Sequence, residues 1–325
     1  MNLMMDTHRG FSLVELMVAS VISLFLALGL FTMFSMSQTN VTTTSQLGQL
    51  QENGRIALAL MERDISQLGF MGDITGTDLI VGSNTTLVGV PPAVFNDCVG
   101  AGANNATFPG NISAHFRKLW GYENGVSANS LACLNGVKAR TDVIQIKRLI
   151  GPSVVNPSDA GRFYMATTSN EAIIFQGTGA PPVLASGRYW EYQHHIYFIA
   201  DNAEGIPELR RKTLSATGLG NDEQLVEGIE NMRIMYGFDN DGDDAADSYM
   251  PVQNVTTLMW DNALFQRLVS LRIFLLVRST EEDDSYTNDV TYTLGDKTIA
   301  ATNDHFRRKV VSTTIVLENP VLIRN

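Results

Sequence analysis

The chain has 325 residues, 44% hydrophobic and 18% charged, with 23 Lys+Arg against 34 Asp+Glu and a formal net charge of -11. That length allows one large domain or two ordinary ones. Without clustered cations, the acidic balance excludes a nucleic-acid surface, since phosphate neutralisation needs basic patches. The apolar content and the lack of charge blocks, repeats or low-complexity tracts exclude a disordered chain.

A short polar segment, residues 1–10, carries His8 and Arg9 and ends at Gly10. An apolar run follows from Phe11 to Met36, predicting a helix about 39 Å long at 1.5 Å per residue, enough to cross a hydrocarbon core. It is too long for an ordinary secretory signal, and no small-residue cleavage motif follows it. Small residues (Ala19, Ser20, Ser23, Ala27, Gly29) are spread along it and allow close approach of neighbouring helices. Glu15 interrupts the apolar run at its fifth position. A carboxylate there needs a cationic partner in any packed environment. Cleavage between Gly10 and Phe11 would create one, because the new α-amino group on Phe11 can pair with the Glu15 of a neighbouring copy and set the axial register.

The segment Arg9-Gly10-Phe11-Ser12-Leu13-Val14-Glu15 resembles the class III signal of type IV pilins and related pseudopilins. The resemblance implies cleavage after Gly10 by prepilin peptidase, N-methylation of Phe11, and Glu15 as the assembly glutamate.

From Ser37 the chain turns polar and then amphipathic. Leu47, Leu50, Ala57, Met61, Ile65 and Leu68 recur at helical spacing, so the helix is expected to continue through residues 37–72 and lay one face on a globular head. Asn53-Gly54 is a candidate bend, and Gly69 and Gly72 mark the end. Beyond residue 72 the period becomes two. Strands are predicted at Asp142–Leu149, Ala172–Gln176, Glu191–Ala200, Glu208–Leu214, Gly228–Phe238, Val269–Ser279 and Lys309–Leu317, with a hairpin turn between Ala200 and Glu208. Residues 73–140 read as a loop-rich insertion in a head spanning 73–325. The fold class is α+β: a long N-terminal helix packed on a mostly antiparallel sheet.

Cys98 and Cys133 are the two cysteines. In an exported chain they form a candidate disulfide that closes a loop of roughly 34 residues, worth about 3–4 kcal/mol. The segment Asp239-Asn240-Asp241-Gly242-Asp243-Asp244-Ala245-Ala246-Asp247 places carboxylates at alternating positions around a tight turn. Asp239, Asp241, Asp243 and Asp247, with the Ala245 carbonyl, form a candidate calcium site. It is not an EF-hand: Asp244 stands where Gly is usual, and Met250 where a bidentate Glu would close the loop. The alternative is a solvated acidic turn. Glu281-Glu282-Asp283-Asp284 lacks the alternation and reads as a solvated hairpin tip. His194 and His195 are adjacent on a strand and face opposite sides, so no zinc site is expected. Gly100-Ala101-Gly102 begins like a dinucleotide fingerprint but has Asn105 where the third Gly belongs. No nucleophile elbow, Walker loop or Cys-x-x-Cys is present, and no enzymatic activity is expected.

Several head segments resemble the PilW-like minor pilins: Arg55-Ile56-Ala57 through Arg63-Asp64-Ile65 with Gly69-Phe70-Met71-Gly72, Thr141-Asp142-Val143-Ile144, Gly205-Ile206-Pro207-Glu208-Leu209-Arg210, and Phe306-Arg307-Arg308 to Leu317-Glu318-Asn319. The resemblance implies a low-abundance subunit that primes pilus assembly or sits in a tip complex. Its partners would be other minor pilins, the major pilin and prepilin peptidase. It would lie in the inner membrane with a periplasmic head, and later in the pilus. The alternatives are a minor pseudopilin of type II secretion, against which Glu15 counts, and a pilus-associated adhesin that grips a ligand through the acidic loop and residues 73–140.

Overall fold

The computed structural model describes residues 10, 12–89, 97–261 and 263–319. Helix α1 (Leu13–Ile65) is followed by a short 3-10 turn (Gly72–Ile74), then strands β1 (Thr85–Val88), β2 (Leu119–Glu123), β3 (Asp142–Val154), β4 (Phe163–Thr167), β5 (Ala172–Gln176), β6 (Arg188–Asp201), β7 (Pro207–Ser215) and β8 (Gly218–Glu227). Next come β9 (Ile229–Asp239), β10 (Ser248–Pro251), a one-turn helix α2 (Thr257–Trp260), β11 (Arg267–Arg278), β12 (Tyr292–Leu294), β13 (Lys297–Ile299) and β14 (Arg308–Val316). The fold is α+β, one long helix and a mostly antiparallel head. The chain divides into two compact units, Met1–Gly48 and Gln49–Asn325, so α1 contributes to both.

Within the second unit, the helix buries the stripe that its periodicity predicts. Leu50, Ala57, Met61 and Ile65 are buried, and Leu68 joins them from the turn beyond. Each large member contributes about 1.5–3 kcal/mol by leaving water. Leu47 departs from the expectation: it is 43% exposed and belongs to the first unit. The helix runs unbroken through Asn53-Gly54, so the pair does not end it. Gly54 instead permits close packing, because a Cβ there would lie 2.9 and 3.1 Å from the Cγ atoms of Val311. After Ile65 the chain turns, and Gly69 and Gly72 adopt φ of +82° and +65°. Left-handed backbone of this kind favours glycine.

Eight strands form the larger sheet in the order β1-β5-β4-β6-β3-β2, with β7 joined to β6 and β8 to β7. Along one edge, β6 pairs with β4 through residues 188–192 and with β7 through 195–201. A second sheet has the order β10-β9-β11-β14, and β12 and β13 form a small hairpin. Among the named strands the pairing is antiparallel except between β1 and β5. Ile144 and Ile146 of β3, Ile196 of β6, Met232 and Ile234 of β9, and Leu271 and Ile273 of β11 share one core with the helix stripe. The seven predicted strands are all present: β3, β6 and β7 run longer at one end or both, β5 has the predicted bounds, and β9, β11 and β14 are shifted by one or two residues. Residues 73–140 are mostly turns among the described residues, but they hold β1 and β2 and bury Leu79, Phe116, Trp120 and Tyr122.

Candidate functional site

At the N-terminal end, Gly10 is exposed and a Cβ added to it would meet nothing within 4 Å. Phe11 lies outside the described residues. Ser12 and Glu15 bond each other reciprocally: the Glu15 N–H donates to Ser12 Oγ at 3.2 Å, and the Ser12 N–H donates to Glu15 Oε2 at 2.9 Å. This is a capping box, which satisfies two of the free amide groups at the start of a helix. The Ser-x-x-Glu spacing was the sequence signal for it, and the reading of Glu15 as an interruption passed it over. Glu15 therefore has a local role in closing the helix as well as a carboxylate open to a partner. Beyond it, every side chain from Leu13 to Met36 is exposed, and the most apolar stretch has a mean hydropathy of 2.4 with none of it buried. Exposed apolar surface on this scale requires a lipid or protein environment.

The acidic loop after β9 is a nest of turns. Asp239 is buried, and its carboxylate accepts N–H bonds from Asp241 (3.1 Å), Gly242 (2.6 Å) and Asp244 (3.0 Å). Asp244 takes the left-handed conformation, φ +66°. The Gly242 bond, opposed by burial and aided by the Asp244 and Asp241 bonds and by Arg267, holds Asp239 below the usual carboxylate value. Asp239, Asp241 and Asp247 each bring an oxygen within 4.8 Å of the others. Asp243 stands outside that group, and its carboxylate accepts from the Ala245 N–H at 2.8 Å. Arg267, on β11, reaches Asp239 at 3.1 Å and Asp244 at 2.7 Å. No local pattern in the sequence points to this arginine, because sheet pairing brings it to the loop.

Cys98 and Cys133 form a disulfide, with Cα atoms 4.8 Å apart. His194 and His195 face opposite sides of β6: His194 Nδ1 lies 3.1 Å from Thr107 Oγ1, and His195 Nδ1 lies 2.6 Å from Asp64 Oδ2. In the run 281–284, Asp283 turns inward to Arg307 at 2.7 Å while its three neighbours stay exposed, so only part of that tip is solvated.

Two buried polar clusters tie the head together. Asp64, on the last turn of α1, accepts from Arg148 Nε at 2.5 Å and from the Tyr197 hydroxyl at 2.8 Å, besides meeting His195. Burial opposes its ionisation, but the His195 and Tyr197 bonds and the charges of His195 and Arg148 outweigh it and hold the carboxyl well below the usual range. Arg233, on β9, donates to Glu123 at 2.8 Å, to Asp142 at 3.0 Å and to Asp296 at 2.7 Å.

Two family models match the chain. The prokaryotic N-terminal methylation motif matches residues 5–31. The type IV pilus-assembly protein W model matches residues 196–319, which begin within β6 and run past β14. Neither the curated proteins nor the solved structures include a match.

Proposed function

We infer that this chain is a minor pilin of the type IV pilus class, held in the membrane by its apolar helix and taking part in pilus assembly. The observation that carries this is a coincidence on one chain: a methylation motif over 5–31, on an exposed apolar helix, precedes a head that matches the pilus-assembly family over 196–319. Families of this kind are structural, and association with other pilus components follows from the role.

The finer reading is that prepilin peptidase cuts after Gly10 and that Phe11 becomes the methylated N-terminus. The inner membrane holds the helix, with the head on the periplasmic side, until the subunit joins other minor pilins and the major pilin in a priming or tip complex. Its new α-amino group meets the Glu15 carboxylate of a neighbouring copy. Because Glu15 also caps its own helix, the two roles need separating. Glu15→Gln preserves the cap, since Gln serves equally in a capping box, but removes the charge. We expect Glu15→Gln to be cleaved normally and to enter sheared pili several-fold less than wild type. Mass spectrometry of the N-terminus and quantification in sheared pili check both parts. Wild-type incorporation would show that the charge sets no register. Intact piliation with lost secretion on deletion would point to a secretion pseudopilin instead.

For the acidic loop, we propose calcium as the ligand of Asp239, Asp241 and Asp247, whose oxygens already converge. Calcium titration by calorimetry is expected to give a saturable heat that Asp241→Asn with Asp247→Asn abolishes. Equal heats in the wild type and the double variant would reject the site.

A further inference from the structure

Lys147 of β3 is fully buried, and among the described residues it makes no ion pair. Its Nζ donates to Asn105 Oδ1 at 3.3 Å and lies 4.7 Å from the centre of the Phe116 ring. A buried ammonium without a carboxylate is costly, and such a group sheds its proton instead. Burial pushes the Lys147 amine down to about 7, with the charge of Asp97 opposing and that of Arg117 assisting. A desolvated neutral amine is a nucleophile.

The amide it meets is held in one orientation and polarised. Asn105 is buried, its Nδ2 donates to the Ala101 carbonyl at 3.0 Å, and its Oδ1 accepts a further bond from Gln145 Nε2. A donor aimed at that oxygen draws charge from Cγ and stabilises the negative charge that an attack there would develop. The backbone closes over the amide at Gly100, where a Cβ would lie 3.0 Å from Asn105 Nδ2. The stretch that opens like a dinucleotide fingerprint is thus a packing device. His194 is the cross-strand partner of Lys147, so the two side chains share one face of the sheet. Thr107 Oγ1 gives its proton to Asp97 and therefore accepts from His194 Nδ1–H at 3.1 Å. That tautomer leaves a lone pair on His194 Nε2, which is buried and has no partner among the described residues.

We propose that Lys147 and Asn105 join in an intramolecular isopeptide bond. The Nζ lone pair forms a bond to Asn105 Cγ while the carbonyl pair moves onto Oδ1. One proton passes from Nζ to Nδ2, with the His194 Nε2 lone pair as the base at hand in this layer. As the carbonyl re-forms, the Cγ–Nδ2 bond breaks and ammonia leaves. A neutral amine and a primary amide thus give a secondary amide and ammonia, and no oxidant or other reactant is needed. The product takes a titratable group out of the core and ties the segment that carries Asn105 to β3. This inference is independent of the assembly role, since it uses none of the residues that carry that reading.

Mass spectrometry of the full chain, purified in detergent and reduced, tests it. The mass is expected about 17 Da, one ammonia, below the value that the sequence and the mature N-terminus require. After trypsin, residues 64–117 and 141–148 are expected as one branched peptide, with fragmentation placing the join at Asn105 and Lys147. Asn105→Ala and Lys147→Arg should each remove the deficit and the branched peptide. The wild-type masses are read on the denatured chain, so they decide the matter even where a variant folds poorly. A wild type of full mass would overturn the proposal. So would a deficit that persists in either variant, or one that maps to a single linear peptide, which would assign it to a succinimide at an Asn-Gly pair.

Discussion

Asp64 shows how much of the head's stability rests on single buried charges. It joins the last turn of α1 to β3 through Arg148 and to β6 through His195 and Tyr197, so one carboxylate fixes the helix against two strands. Removing the charge from such a group leaves Arg148, itself only 8% exposed, without its carboxylate and with the neutral Gln67 and Leu149 oxygens as acceptors. Asp64→Asn is therefore expected to destabilise the protein by about 3–5 kcal/mol, measured as a lowered denaturation midpoint in detergent. The pH dependence follows from the depressed carboxyl. Because the folded state holds Asp64 ionised below its unfolded value near 4, the contribution is complete above that value. It is lost as pH falls through the folded pKa, where the folded state too becomes protonated. The wild type should thus lose stability below about pH 4 more steeply than Asp64→Asn, whose amide does not titrate. Parallel acid-unfolding curves for the two proteins would refute this.

Among the elements, the junction of α1 with the smaller sheet turns on Gly54. In an exposed helix, Gly→Ala stabilises by about 1 kcal/mol. Here the new Cβ would press on Val311 of β14 and Val277 of β11, and overpacking of this kind costs about 1–3 kcal/mol. Gly54→Ala should therefore be neutral to destabilising and Gly54→Val clearly destabilising, a ranking that thermal unfolding can read. A rise in stability with both would mean that the sheet yields at that point. The same glycine marks where the sequence was legible and where it was not. Helix period and strand alternation are local, so the buried face of α1 and seven of the strands could be read directly. The role of Gly54 depends on what lies opposite, which no local pattern records. Strand β8, Gly-Leu-Gly-Asn-Asp-Glu-Gln, was hidden for a related reason. Its polar composition has little strand propensity, and it is held by charge across the pair, with Arg210 bonded to Asp222 at 2.9 Å and Arg211 to Glu223 at 2.7 Å. The basic run on β7 and the acidic run after it were visible, but only their antiparallel register gives them meaning. In the acidic loop, the converging carboxylates could be anticipated from spacing, whereas Arg267 came from a neighbouring strand.

At the scale of the whole head, two sheets and a small hairpin must hold one arrangement, and Arg233 is the group that touches all three. From β9 in the smaller sheet it reaches Glu123 and Asp142 at the ends of β2 and β3 in the larger one, and Asp296 in the turn between β12 and β13. Lys297 adds a second cation to Glu123 at 2.8 Å. The acids around Arg233 outnumber the bases, so they are tolerable together only while the guanidinium is present. Replacing it with an apolar side chain of similar length would leave Glu123 and Asp142, both almost fully buried, facing each other with less compensation. Arg233→Met is expected to cost about 3–5 kcal/mol. It should also separate the unfolding of the smaller sheet from that of the larger, because the polar contact that couples them is gone. Hydrogen exchange resolved by segment is expected to show this as faster exchange in β9–β11 and β14 than in β3 and β6, with no such difference expected in the wild type. A variant that unfolded in one step at unchanged stability would mean that the apolar core shared by these strands, not the buried charge, holds the sheets in register.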